Sequence, residues 1–213
     1  NIVYHESLTE GRNAVLEAFR SGKTVDRLFV LDGCQDGPVK TILREAKKQD
    51  TMVQYVKKER LDQLSETKNH QGVIAYCAAC EYAEVSDILE NAKKKGEAPF
   101  IVLLDGIEDP HNLGAIIRTA NQAGAHGVII PKRRAVGLTA TVARTSAGAV
   151  NYTPVAKVTN LVTVMEDLKK EGMWFVCADM DGEEMYSLNL KGPIGLVIGN
   201  EGEGVSRLVK EHC

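Results

Sequence analysis

The sequence predicts an α/β protein in two parts: a small α/β unit, then a larger unit built on a parallel sheet. Three observations carry this reading. Four apolar runs, at 100–104, 127–130, 174–178 and 194–198, alternate with helical stretches near 112–123, 138–147 and 159–171. Shorter strand and helix signals alternate through residues 1–79. Two turns rich in glycine and carboxylates each follow an apolar strand and lead into a helix, which is where open α/β sheets bind ligands.

In chain order, Gly11 to Arg20 places Ala14, Val15, Ala18 and Phe19 on one helical face, and Gly22 stops that helix. Residues 27–31 read as a strand. Val39, Ile42, Leu43 and Ala46 repeat at helical spacing. Residues 52–56 and 73–79 read as further strands. Residues 80–97 are charged and end in Lys93-Lys-Lys-Gly, so they read as a linker carrying a helical turn or two, its lysines either a solvated face or a binding patch. From residue 98 the second domain begins, with strands apolar enough to be buried on both faces. The expected division is therefore 1–79, 80–97 and 98–213.

The chain has 213 residues and a formal net charge of −3, so no global basic field marks it for nucleic acid, although local basic patches suffice for that. No run of about 18 apolar residues offers a membrane span, and no leader pattern is seen. The five scattered cysteines fit a reducing cytoplasm better than a disulfide framework. Cys77-Ala-Ala-Cys80 ends an apolar run, so buried strand thiols are expected there, with redox or metal chemistry as the alternative; no metal site is expected.

The first rich turn reads Asp105-Gly-Ile-Glu-Asp-Pro-His-Asn-Leu-Gly-Ala-Ile-Ile-Arg118. Asn112 is expected to cap the following helix, with Leu113, Ile116, Ile117 and Ala120 as its buried stripe. Gly114 leaves room for a ligand or another backbone. Arg118 lies off the stripe and is either a solvated arginine or a functional one. His111 is either a base or merely exposed. The second turn, Gly199-Asn-Glu-Gly-Glu-Gly-Val-Ser206, nearly has phosphate-loop spacing. Val205 replaces the lysine, however, and Glu201 and Glu203 would repel a triphosphate. The absent G-x-G-x-x-G fingerprint argues against a nicotinamide cofactor. Such a loop suits a neutral or cationic ligand lying close to the backbone.

Together these segments resemble the SpoU branch of the SPOUT RNA 2′-O-ribose methyltransferases. Asn112, Gly114 and Arg118 match the family's first motif, and Gly199, Asn200, Glu201 and Gly202 its second. Arg144-Thr-Ser-Ala-Gly-Ala149 is similar to the helix-end signature between them. Gly11-Arg-Asn-Ala-Val15 and His70-Gln-Gly-Val73 resemble the family's L30e-like substrate-binding domain. Within the family, the likeness is to enzymes acting on a guanosine of 23S rRNA.

The resemblance implies an L30e-like domain followed by a SPOUT domain, and a homodimer. It implies methyl transfer from S-adenosylmethionine to a ribose 2′-hydroxyl of rRNA, or of tRNA. Arg118 would hold the ribose or its phosphate, with Asn112 and Glu201 fixing Arg118 and the ribose. The backbone at Ile198, Gly199, Asn200 and Gly202 would face the cofactor. Arg12, Asn13, His70 and Gln71 would meet RNA, and the run Lys132, Arg133 and Arg134, just after a strand, would grip phosphate. The family's third motif and final helix do not follow before Cys213. The expectation is that the polypeptide continues in a longer protein, where the trefoil knot would close. A non-catalytic RNA-binding or assembly module is the rival reading.

Overall fold

A computed structural model of the protein describes residues 7–178 and 192–213. These fall into two units, one running to Glu81 and including Leu138–Ala140, the other holding Tyr82–Gly137 and Thr141–Cys213. The class is the mixed α/β with a parallel sheet that the sequence predicts.

The first unit runs β1 (Ser7–Glu10), α1 (Arg12–Arg20), β2 (Val25–Leu31), α2 (Gly37–Lys48), β3 (Met52–Val56), α3 (Lys58–Leu64) and β4 (Val73–Cys77). Its sheet has the order β1-β4-β2-β3; β4 is antiparallel to both of its neighbours, and β2 and β3 are parallel. Side chains alternate across the sheet. Leu28, Val30, Val73 and Ala75 face Val15, Ala18 and Phe19 of α1 and Val39, Ile42 and Ala46 of α2. Phe29 and Ile74 face Leu61 of α3 on the other side. Asp36 starts α2 by accepting the Val39 N–H (3.1 Å), and Lys47 and Lys48 sit at its negative end.

Ala14 is exposed, and it is Leu16 that packs partly beside Val15. β1 and α3 carry too little apolar pattern to stand out: α3 buries only Leu61. Cys77 is buried at the end of β4, and burial pushes its thiol pKa up.

The second unit runs α4 (Val85–Lys94), β5 (Phe100–Asp105), α5 (Pro110–Gln122), β6 (Gly127–Pro131), α6 (Ala140–Thr145), β7 (Val155–Val158), α7 (Leu161–Lys170), β8 (Trp174–Ala178), β9 (Ile194–Gly199) and α8 (Arg207–Lys210). A 3-10 turn, Ala149–Asn151, follows α6. All five strands are parallel, in the order β7-β6-β5-β9-β8. Residues 101–104 of β5 are buried throughout, so both faces of the sheet are covered. β7 lies at the sheet's edge with only Val155 and Ala156 buried, a pattern too short to read from sequence.

The segment expected to be a linker is a structural part of this unit. The Ala83 N–H donates to the Val155 carbonyl (2.8 Å), and the Asp87 carboxylate accepts the Glu84 N–H (2.8 Å) to start α4. Ile88 and Ala92 are fully buried, Ile88 filling the space left by Gly127. The charged sequence hid this because two apolar positions suffice to dock a ten-residue helix. Its lysines are exposed and gather at the helix's negative end. Ile88→Ala should therefore lower the unit's unfolding free energy by about 2–5 kcal/mol. Urea denaturation reads this directly, and a loss below about 0.5 kcal/mol would restore the linker description.

Candidate functional site

The two rich turns meet because their strands are neighbours. β5 and β9 pair in parallel with Asp105 opposite Gly199, so the residues after each strand emerge side by side at the carboxyl edge. Each turn then holds the other. The Asp105 carboxylate accepts the Ser206 N–H (2.7 Å) at the start of α8. The Asn200 amide Nδ2 donates to the Gly106 carbonyl (3.1 Å), while its Oδ1 accepts the Gly202 N–H (2.7 Å). The backbones of Asn200 and Gly204 exchange two further bonds, closing the loop on itself.

That closure is why Gly199 has no side chain: a β-carbon there would collide with the backbone of Gly204 and Val205. Val205 and Val209 then anchor the end of the loop in the core. Leu208, between them, is exposed. The side chain of Asn200 is spent on the loop. What the loop offers outward is peptide edge and the carboxylates of Glu201 and Glu203, both exposed.

α5 begins differently from expectation. Asp109, not Asn112, is the N-cap, accepting the Asn112 N–H at 2.9 Å. Pro110 fits the first helical position and so moves the cap before it. This leaves the Asn112 side chain exposed, three residues into the helix. The buried stripe is Leu113, Gly114, Ile117 and Ala120, with Ile116 only half-buried. Gly114 makes room for protein: a β-carbon would strike the Thr145 side chain and the Ser146 N–H. The segment 144–149 thus packs on α5, with Thr145 Oγ1 donating to the Thr141 carbonyl (2.9 Å) and Ser146 fully buried.

Arg118 and Glu201 are exposed and have no ion-pair partner among the described residues. Asn112 and Arg118 are six residues apart, hence about 9 Å along the axis and about a third of a turn around it. They do not pair directly. His111 is exposed.

On the β6 side, the Lys132 N–H donates to the Val158 carbonyl (2.9 Å), and Val136 N–H to the Ile107 carbonyl (3.1 Å). Arg133 between them is exposed. Arg134 reaches Glu203 of the second turn, Nη2 to Oε2 at 3.1 Å. Three loops therefore meet at the carboxyl edge of β6, β5 and β9. Asp105 is a site residue that sequence reasoning did not single out, and the pairing of Arg134 with Glu203 is a contact it did not foresee. A carboxylate closing an otherwise apolar strand was the available signal for Asp105.

In the first unit, Arg12 and Gln71 do come together. The Arg12 N–H donates to Gln71 Oε1 (3.0 Å) and its Nε to the Gln71 carbonyl (3.2 Å), while the guanidinium pairs with Asp36. Asn13 is exposed at the start of α1. His70 does not fit the RNA-reading role expected of it. It is 8% exposed, its Nδ1 accepts the Gly72 N–H (2.9 Å), and Nε2 must then donate to Asp62 (2.8 Å). That bond holds the Asp62 carboxyl below its ordinary pKa. Histidine serves here to shape the loop that presents Gln71.

Comparison with known proteins gives the following. Residues 99–213 match the model of the SpoU rRNA Methylase family, and residues 8–83 match that of the RNA 2′-O ribose methyltransferase substrate binding domain. The Bacillus subtilis protein YacO, named for the TrmH family of tRNA/rRNA methyltransferases, is 48% identical over 205 residues, covering 95% of this chain and 82% of that protein. A Staphylococcus aureus protein with the same family name is 42% identical over 209 residues, covering 98% and 84%. Among solved structures, the SpoU methyltransferase AviRb of Streptomyces viridochromogenes, in complex with AdoMet, has the same fold. The TM-score is 0.56 at 23% identity, covering 98% of this chain and 78% of that one. The AdoMet-bound rRNA methyltransferase of Sinorhizobium meliloti gives 0.55 at 23% identity, covering 98% and 76%.

Asn200→Ala should leave the Gly106 carbonyl and Gly202 N–H unmatched, at a cost of about 1–3 kcal/mol. Hydrogen exchange should show faster exchange at Gly202 and Gly204 while β5 stays protected. Unchanged exchange at those amides would refute the lock.

Proposed function

Because the chain belongs to the SpoU rRNA methylase family, we propose that it methylates a ribose 2′-hydroxyl of RNA with S-adenosylmethionine. A guanosine of 23S rRNA is the favoured target and tRNA the second. The observation that carries this reading is the mutual lock of the two turns. It fixes the turn that leads into the arginine-bearing helix and a carboxylate-bearing loop beside one another, at the ends of adjacent strands.

The residues present fit the cofactor. Its bound form supplies an electrophilic methyl group on a positively charged sulfur. The loop offers peptide edge at Ile198, Gly199, Asn200 and Gly202, with the carboxylates of Glu201 and Glu203 suited to a cation. Arg118 presents its fork of donors to the ribose oxygen or its phosphate. A guanidinium does not give up its proton at neutral pH, so Arg118 acts by stabilising the developing oxyanion. The proton passes to a neighbouring phosphate oxygen or to water. Asn112 and Glu201 act on the ribose from other directions, since Asn112 and Arg118 can meet only across a ligand lying between them.

In this reading residues 1–79 form the RNA substrate-binding domain and 98–213 the catalytic domain. Arg12, Asn13 and Gln71 meet an irregular RNA element whose bases are splayed and readable. Lys132 and Arg133 meet phosphate. The working form is a homodimer in the cytoplasm, by likeness to the family.

Arg118→Ala should lower methyl transfer by about a hundredfold or more, the scale of losing an oxyanion donor. Its affinity for S-adenosylmethionine should stay near the wild-type value. Labelled methyl incorporation into 23S rRNA fragments and into tRNA, beside calorimetric cofactor titration, measures both. Normal turnover in the variant would refute the role of Arg118. Methylation of tRNA alone would overturn the rRNA assignment.

A further inference from the structure

Arg134 stands out against its surroundings. It is a non-glycine residue at φ 55°, in the left-handed region that costs an ordinary side chain about 1–2 kcal/mol. Bonds at Lys132 and Val136 tether its loop on both sides. Its guanidinium lies over the junction of the two turns, beside Gly106, and pairs with Glu203. Both side chains are mostly exposed, at 62% and 77%. An ion pair in that setting contributes only about 0–1 kcal/mol. The pair therefore does not repay the backbone it hangs from, and a strained residue kept in place beside a site points to a function. The facing turns carry four exposed carboxylates, Glu108, Asp109, Glu201 and Glu203. An RNA backbone meeting these acids needs the cations of the rim, Arg118 and Arg133 among them, and Arg134 is a further one, seated directly against Glu203.

Resting on the RNA methyltransferase reading above, we propose that Arg134 is an RNA phosphate-binding residue that Glu203 of the cofactor loop holds in reserve. Phosphate takes the arginine by exchange. A phosphodiester accepts the same fork of donors bidentately and carries the same single charge as the carboxylate, and the neighbouring phosphates of the strand add their attraction. The exchange releases Glu203, so RNA arrival is felt directly by the loop that faces the cofactor. No bond other than hydrogen bonds is made or broken.

The test is a double-mutant cycle on the full-length protein. Binding of a labelled 23S rRNA fragment is read by fluorescence anisotropy across a salt series. Arg134→Ala should weaken binding about three- to tenfold and reduce the salt slope by about one phosphate contact's worth. Glu203→Gln should tighten binding about two- to fivefold, the range of an exposed ion pair no longer competing. In the Arg134→Ala background the Glu203→Gln gain should vanish. A gain that persists there would be general charge relief and would overturn the proposal. So would unchanged binding in Arg134→Ala while the wild-type protein binds and methylates. A wild-type protein that neither binds nor methylates RNA would overturn the enzymatic reading along with it.

Discussion

The parallel pairing of β5 with β9 is the constraint on which the rest depends. It sets Asp105 opposite Gly199, and from that register two reciprocal bonds become possible. Asp105 reaches forward to Ser206, and Asn200 reaches back to Gly106. A shift of one residue would break both bonds and would turn the buried Val197 toward the opposite face. The glycine at 199 follows from the same register, since the loop must fold back onto it with no space to spare. Charge then follows geometry. With the amide of Asn200 consumed internally, the loop shows the outside its peptide edge and its acids.

Much of this was legible in the sequence, for physical reasons that differ by element. The strands of the second unit are doubly buried and so read as unbroken apolar runs, as at 101–104. The two turns were legible because glycines, an asparagine and carboxylates cluster there beyond what a simple turn needs. Where reading failed, the signal was thin or ambiguous. α4 buries two residues among many charges, and β7 buries two at an edge. The cap of α5 was misplaced because Asp109 and Asn112 are both good caps, and only the fit of Pro110 to the first helical position decides between them.

Site residues divided along a similar line. A motif displays which residues sit at a site but not what each one touches. Gly114 reads as space for a ligand or for another backbone, and it proves to be space for Thr145 and the backbone of Ser146. His70 reads as a reader of RNA and proves to be a buried strut, because the partners of its two nitrogens, Gly72 and Asp62, cannot be inferred from spacing alone. Arg134 and Glu203 are 69 residues apart, and no periodicity announces that they meet.

The strand order carries a consequence for how the protein comes into being. β9 is last in sequence among the described strands yet lies between β5 and β8, and among the described residues it is the one strand with which β8 pairs. On the ribosome, β5 has to wait with one edge open for about 90 residues of further synthesis, on the order of 5–20 s at usual elongation rates. Until then β8 has no place in the sheet. A nascent chain in that interval presents an apolar strand edge, the kind of surface that chaperones shield and that invites aggregation. The second turn, which comes directly after β9, is thus assembled by the same event that closes the sheet. A chain halted before β9 would lack the second turn and with it every bond that locks the first.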